Sequence, residues 1–280
     1  MYGFGNVSRI LLPIISVIFG GPTAVASNEL DQPINSAEEL DLWNKGTIKW
    51  LTNIIYYNQT DIPALRVHNF NNVDGTSRTR SEIEEILNHV QTETLGNLAS
   101  LLSLHNEDDT FIPGLINLKD YDLDGKDGID WESSEYVVYG WTFSGNYNTF
   151  DYYYKSIKGK KDIPISLTTK INNFLLANVK YKNTNTRLYL NYIGETTKTA
   201  AVREIQHKSE GGSGSKVLNG ICSTWEKLGL PVPEHSILYA TNPDNYTEGV
   251  EGIDEKRQDR IKFVEALFAT LCGRGTMNGK

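Results

Sequence analysis

Tyr136-Val137-Val138-Tyr139-Gly140-Trp141-Thr142-Phe143-Ser144-Gly145-Asn146-Tyr147-Asn148-Thr149-Phe150-Asp151-Tyr152-Tyr153-Tyr154 carries nine aromatic side chains in nineteen residues. Aromatic and β-branched residues favour the pleated, half-buried surface of a sheet. Gly140, Gly145 and the Asn146-Tyr147-Asn148 run supply turn residues. We therefore read one or two β-hairpins between residues 136 and 158. A further strand is expected at Arg187 to Ile193, where Leu188, Leu190 and Tyr192 alternate with other positions. An exposed aromatic cluster could also offer stacking faces to a sugar; a sheet with its core is the plainer reading.

Helices are expected on either side. Ser36 and Glu39 have capping-box spacing ahead of Leu40, Trp43, Leu51, Ile54 and Ile55, with Gly46 a weak point. Ser81 and Glu84 repeat that spacing, and Ile83, Ile86, Leu87, Val90, Leu98, Leu101 and Leu102 continue one stripe. Further helices are read from Ser166, weakly over 198 to 207, over 216 to 228, and from Asp254 to Cys272. Gly229 and Pro231 end the third of these, and Pro231 to Gly252 reads as a turn-rich connector. The fold class is thus α+β, with amphipathic helices at both ends around a small aromatic-rich antiparallel sheet.

Just ahead of the aromatic run lies Asp120-Tyr121-Asp122-Leu123-Asp124-Gly125-Lys126-Asp127-Gly128-Ile129-Asp130-Trp131-Glu132, with five aspartates and two glycines. Hard oxygen ligands on a turning loop suit calcium. From Asp120, ligand positions one, three and five and the glycine at six fall into place, but Trp131 occupies position twelve. From Asp122, Ile129 and Asp130 fit, but Lys126 and Ser133 do not. The stretch resembles the D-x-D-x-D-G loops of EF-hands and dockerins. That resemblance implies a calcium cofactor held by Asp120, Asp122, Asp124, Asp127 and Asp130, and nothing further about activity.

The first 26 residues have the pattern of a signal peptide: Arg9, the apolar run Ile10 to Phe19, and Ala24-Val25-Ala26. The remaining residues 27–280 are read as one secreted or periplasmic domain, with a possible subdomain boundary near residue 135. Cleavage would leave a formal net charge of −9, which argues against nucleic acid as a partner. No segment is apolar enough to span a membrane. In an exported chain the cysteine pair, Cys222 and Cys272, is expected to form a disulfide.

Two other stretches invite a chemical reading. Glu210 to Lys216 is glycine-rich, but Ser215 breaks the order of a phosphate-binding loop, so a linker is expected. Cys222, followed by Trp225 and later His235 and Asp244, is faintly similar to the nucleophile helices of papain-like and transglutaminase-like enzymes. Its place in the stripe of Val217, Leu218, Ile221, Trp225 and Leu228 argues for a structural cysteine instead. Glu132, Glu135 and Asp151 are the carboxylates a hydrolase would draw on. The function expected is a calcium-stabilised exported binding or interaction protein, toxin- or effector-like in kind, with an unknown extracellular ligand or partner. The alternative is a secreted hydrolase acting on an extracellular polymer such as carbohydrate.

Overall fold

A computed structural model describes residues 36–58, 76–106, 113–208, 216–241, 252–272 and Met277. The leader at 1–26, the glycine-rich 210–215 and Asp244 lie outside the described residues. The chain divides into two compact units between Phe111 and Ile112.

The first unit is helical. Helix α1 runs over Ala37–Asn58 without a break at Gly46. It buries Trp43, Ile48, Leu51 and Ile55. The long stripe after residue 80 forms two helices, α2 at Arg80–Asn88 and α3 at Thr92–Asn106. The chain turns at His89, whose Nδ1 lies 2.8 Å from the carbonyl of Glu85. The capping box uses Thr79 and Glu82 rather than Ser81 and Glu84. Both sites have the right spacing; the one that starts two residues earlier is the cap of the helix that buries Ile83, Ile86 and Leu87.

The second unit is built on a three-stranded antiparallel sheet of order β2-β1-β3. Its strands are β1 at Val137–Gly145, β2 at Leu188–Thr196 and β3 at Glu234–Ala240. The expected α+β class, with an aromatic-rich sheet between helices, describes this chain. Only one strand comes from the aromatic stretch, however. Residues Tyr147–Ile157 form helix α4 instead of a second hairpin arm. Asn146 caps it, its Oδ1 accepting the backbone N–H of Thr149 at 3.0 Å. Tyr147, Phe150, Tyr153 and Ile157 are buried at helical spacing. Strand β3 falls inside the stretch expected to be a connector.

Four more α-helices of this unit lie among the described residues: α5 at Ile165–Ala177, α6 at Ala200–Lys208, α7 at Lys216–Trp225 and α8 at Ile253–Leu271. Central strand β1 is buried on both faces. Val137, Tyr139, Trp141 and Phe143 share one core with α4, α5 and α7. Trp225 of α7 sits among Phe143, Phe150 and Tyr153, with ring centroids 4.9 to 5.4 Å apart. Beyond Val138 the intervening positions, Gly140, Thr142 and Ser144, are small or polar. A side chain at Gly140 would meet Leu118 at 2.5 Å. Helix α8 covers that second face: Tyr239 and Glu195, both opposite Val138, feel Arg260 and Lys262 of α8.

The two expected staples are corrected by this arrangement. Cys222 and Cys272 are free thiols. One stands on α7 and the other caps α8, so the sheet lies between them. The acidic loop gathers no metal site: among the described residues no group of three His, Cys, Asp or Glu side chains is arranged to hold an ion. The aspartates Asp120, Asp122, Asp124, Asp127 and Asp130 do not converge, because three of them are committed to backbone amides. Asp122 Oδ1 accepts from Ile237 at 2.8 Å and from Asp124 at 3.1 Å. Asp124 Oδ1 accepts from Trp131, and Asp130 Oδ1 from Glu132 and Ser133. Asp120 and Asp127 point to solvent. With the metal and disulfide gone, the described residues give no support to a secreted, calcium-binding, EF-hand-like protein.

The loop's real work is at a sheet edge. Leu123 N–H donates to the Ile237 carbonyl at 2.8 Å while Asp122 accepts the Ile237 N–H. Lys119 pairs with Asp122 and donates to the His235 carbonyl at 3.0 Å. This occupies β3's outer edge, which would otherwise present unpaired backbone groups. No helix among the described residues is long and apolar enough to cross a membrane.

A neutral Asp122→Ala change should leave the Ile237 amide buried and unpaired, and lower unfolding stability by about 2 kcal/mol. Chemical denaturation measures this. The wild-type melting temperature should be the same in millimolar calcium and in chelator, and intact mass under non-reducing alkylation after denaturation should show two labelled cysteines.

Candidate functional site

A pocket of about 200 Å³ opens beside β1 and β3 in the second unit. Trp141 of β1 and Trp225 of α7 form its apolar depth, with Leu230, Val232 and Pro233 from the turn that leads into β3. Lys208, Cys222, Ser223, Glu226 and His235 supply its polar groups. Its position follows from local folding. Gly229 adopts a left-handed conformation with φ of 65°, which ends α7's 3₁₀ extension and reverses the chain. Trp225 Nε1 donates to the Pro231 carbonyl at 2.7 Å and fixes the reversed segment.

Trp141 and His235 are direct cross-strand neighbours. Their ring centroids are 4.1 Å apart. The other face of His235 stacks on Trp131, at 5.1 Å and 9°. Trp131 in turn anchors α6, its carbonyl accepting from Ala201 at 3.1 Å and its Nε1 donating to Glu204 Oε2 at 3.2 Å. Glu204 also accepts from Lys208 at 2.6 Å and stands 3.7 Å from His235 Nδ1. Burial alone would raise the Glu204 carboxyl, but Lys208, His235 and Trp131 hold it below its ordinary range. Burial lowers the His235 imidazole, and the charges of Lys208 and Lys119 add to the effect against Glu204.

Beneath the pocket a second histidine is fully enclosed. His207 Nε2 lies 2.8 Å from the Tyr139 hydroxyl, and its Nδ1 lies 3.1 Å from Asn219 Oδ1. A neutral imidazole satisfies both, accepting from the tyrosine and donating to the amide. Burial, with Arg203 nearby, holds His207 below the usual imidazole value.

Helix α6 therefore supplies Glu204, His207 and Lys208 to one locality. Sequence reading found this helix but not its role. The signal was there in the spacing, since three polar residues at i, i+3 and i+4 share a face. Trp131 and Asn219 carried no comparable signal. Of the carboxylates read as hydrolase candidates, none lines the pocket: Glu132 and Glu135 are exposed, and Asp151 pairs with Lys155 at 2.6 Å. Cys222 departs from expectation in one respect. It is half-buried, packed against the edge of the core and also lining the pocket. Burial nonetheless pushes its thiol up to about 12, and it makes no hydrogen bond to His235. A thiol so protonated at neutral pH is a poor nucleophile. The pocket can thus hold a small molecule against aromatic walls.

Two measurements follow. The unfolded chain takes up protons at its histidines near pH ~6.5. His207 and His235 titrate below that value in the folded state, so the stability they carry is full above it and is lost as pH falls. Urea midpoints should drop on acidification, and His207→Gln should flatten that dependence. Alkylation of Cys222 in the native protein should be much slower than in a free thiol at neutral pH, as read by peptide mass mapping. Comparison with family models, with curated proteins and with solved structures finds no match to this chain.

Proposed function

We propose that the Ile112–Lys280 unit is a ligand-binding module and that the pocket between β1, β3, α6 and α7 receives a small, ring-sized molecule. The observation that carries this reading is the pocket itself: about 200 Å³ over two buried tryptophans, with lysine, histidine, serine and thiol groups around it. Concave, mostly apolar sites with a few convergent polar groups are where small ligands bind. The volume corresponds to about seven waters at ~30 Å³ each, enough for one substituted ring.

A binding role is favoured over a glycoside hydrolase. Hydrolysis of that kind needs two carboxylates facing each other across the bond. Glu226 is the one carboxylate among the lining residues. Binding, by contrast, needs only apolar area and a few orienting contacts.

Single-ring fragments at millimolar concentration should raise the melting temperature, by an amount that grows with concentration as linkage requires. Ser223→Phe projects bulk into the pocket from the exposed side of α7 and should abolish the shift while leaving the ligand-free melting temperature near that of wild type. A fragment shift that survives Ser223→Phe would place binding elsewhere and remove the basis of this reading.

A further inference from the structure

The basic charge of this acidic chain is concentrated in one segment. Lys155 to Arg187 holds eight basic residues and one acidic residue, Asp162, in a chain of formal net charge −8. We infer that this segment is a docking surface for an anionic lipid bilayer, on which the second unit rests peripherally. Ile165, Leu176 and Val179 would meet the lipid, with lysines among the headgroups. None of these residues lines the pocket.

Helix α5 buries one face and leaves the other bare. Leu167, Ile171, Phe174 and Leu175 face the core. Ile165 and Leu176 are separated by three helical turns, so they stand on the opposite line, about 16 Å from each other. There Ile165 is 83% exposed and Leu176 64%, and Val179, just past the helix, is 56% exposed. Thr169 and Asn173, uncharged and exposed, lie between them, and α5 contains no carboxylate. Single aliphatic groups scattered on a surface are ordinary, whereas apolar groups gathered within a polar rim mark a protein or membrane contact.

The lysines stand at both ends of this line. Lys158, Lys160 and Lys161 belong to the turn that enters α5, and Lys180 and Lys182 to the turn that leaves it. All five are exposed. At the borders of the segment Lys155 pairs with Asp151 at 2.6 Å and Arg187 with Glu234 at 3.6 Å, but among the described residues the five lysines have no ion-pair partner. Lys158 Nζ lies 5.4 Å from the centroid of the Tyr154 ring and Lys180 Nζ 5.3 Å from that of Tyr181. Lysine stems and tyrosine rings suit the headgroup level, where one end is apolar and the other wet. Charges in solution are screened over ~8 Å at physiological ionic strength, so an approaching surface meets this local excess rather than the net charge of the chain. A nucleic acid would use the same charge but leave the aliphatic line in water. Basic groups together with exposed aliphatic side chains are the composition of a helix that lies on a bilayer.

The test is co-sedimentation of the full chain with phosphatidylcholine vesicles, with and without phosphatidylserine. The wild type should bind the anionic vesicles more tightly, and the gain should vanish at high salt. Lys158→Gln, Lys160→Gln and Lys161→Gln together should weaken binding to the anionic vesicles by about a hundredfold, at roughly fivefold per lysine. Ile165→Asn with Leu176→Asn should weaken it at least about tenfold while every lysine is kept. All of these positions are exposed, so both variants should melt near the wild-type temperature. Duplex DNA is the rival probe. DNA binding as tight as vesicle binding, with the aliphatic double variant binding vesicles like wild type, would make this a polyanion site and overturn the lipid assignment. Equal binding of wild type to the two kinds of vesicle, or a phosphatidylserine-dependent gain that survives the lysine replacements, would overturn the docking surface itself.

Discussion

The second unit depends on one constraint: β1 is buried on both faces, so nothing about its surroundings can be left to solvent. A strand in that position must have neighbours on both edges and packing above and below. Its two partners, β2 and β3, are themselves edge strands. Each edge is attended to. Met277 N–H donates to the Asn191 carbonyl on β2, while Leu123, Asp122 and Lys119 occupy β3. The composition of β1 reflects its double burial. Large aromatic groups at Tyr139, Trp141 and Phe143 alternate with Gly140, Thr142 and Ser144, where the second layer approaches closely.

The pocket is a consequence of the same arrangement. Holding β3 against β1 places His235 beside Trp141. Covering the aromatic face with α7 brings Trp225 and Cys222 to the same place. The 122–136 segment, which caps β3, continues into Trp131, which stacks on His235 and holds Glu204 of α6. The acidic loop is therefore coupled to the pocket through backbone and stacking contacts, with Asp122, Asp124 and Asp130 accepting amides.

Spending a carboxylate in this way is chemically close to spending it on an ion. An Asx turn and a calcium ligand both need a short acidic side chain near a bend, and glycine at the next position serves either. Asp122, Asp124 and Asp130 each accept amides within their own loop or from β3. The same logic covers the thiols. Cysteine packs as a small hydrophobe, so Cys272 at the end of a buried helix needs no partner.

Sequence alone determined most of the helices and the class of fold, because a buried helix face needs apolar residues at a period of 3.6 and that period is written locally. The stripes of Ile261, Val264, Leu267, Phe268 and Leu271, and of Val217, Leu218, Ile221 and Trp225, are buried where the spacing puts them. The same rule was legible in Tyr147, Phe150, Tyr153 and Ile157, where aromatic content outweighed spacing and suggested a hairpin. Strand β3 was hidden because Pro231 and Pro233 mark its approach as a connector. The tertiary structure alone decided which aspartates met amides, on which side of the sheet each cysteine fell, and that Trp131, Trp141, Glu204 and His235 form one cluster. Apart from the short Asx turns at Asp124 and Asp130, those are contacts between residues distant in the chain, set by strand pairing and helix docking, and no local pattern encodes them.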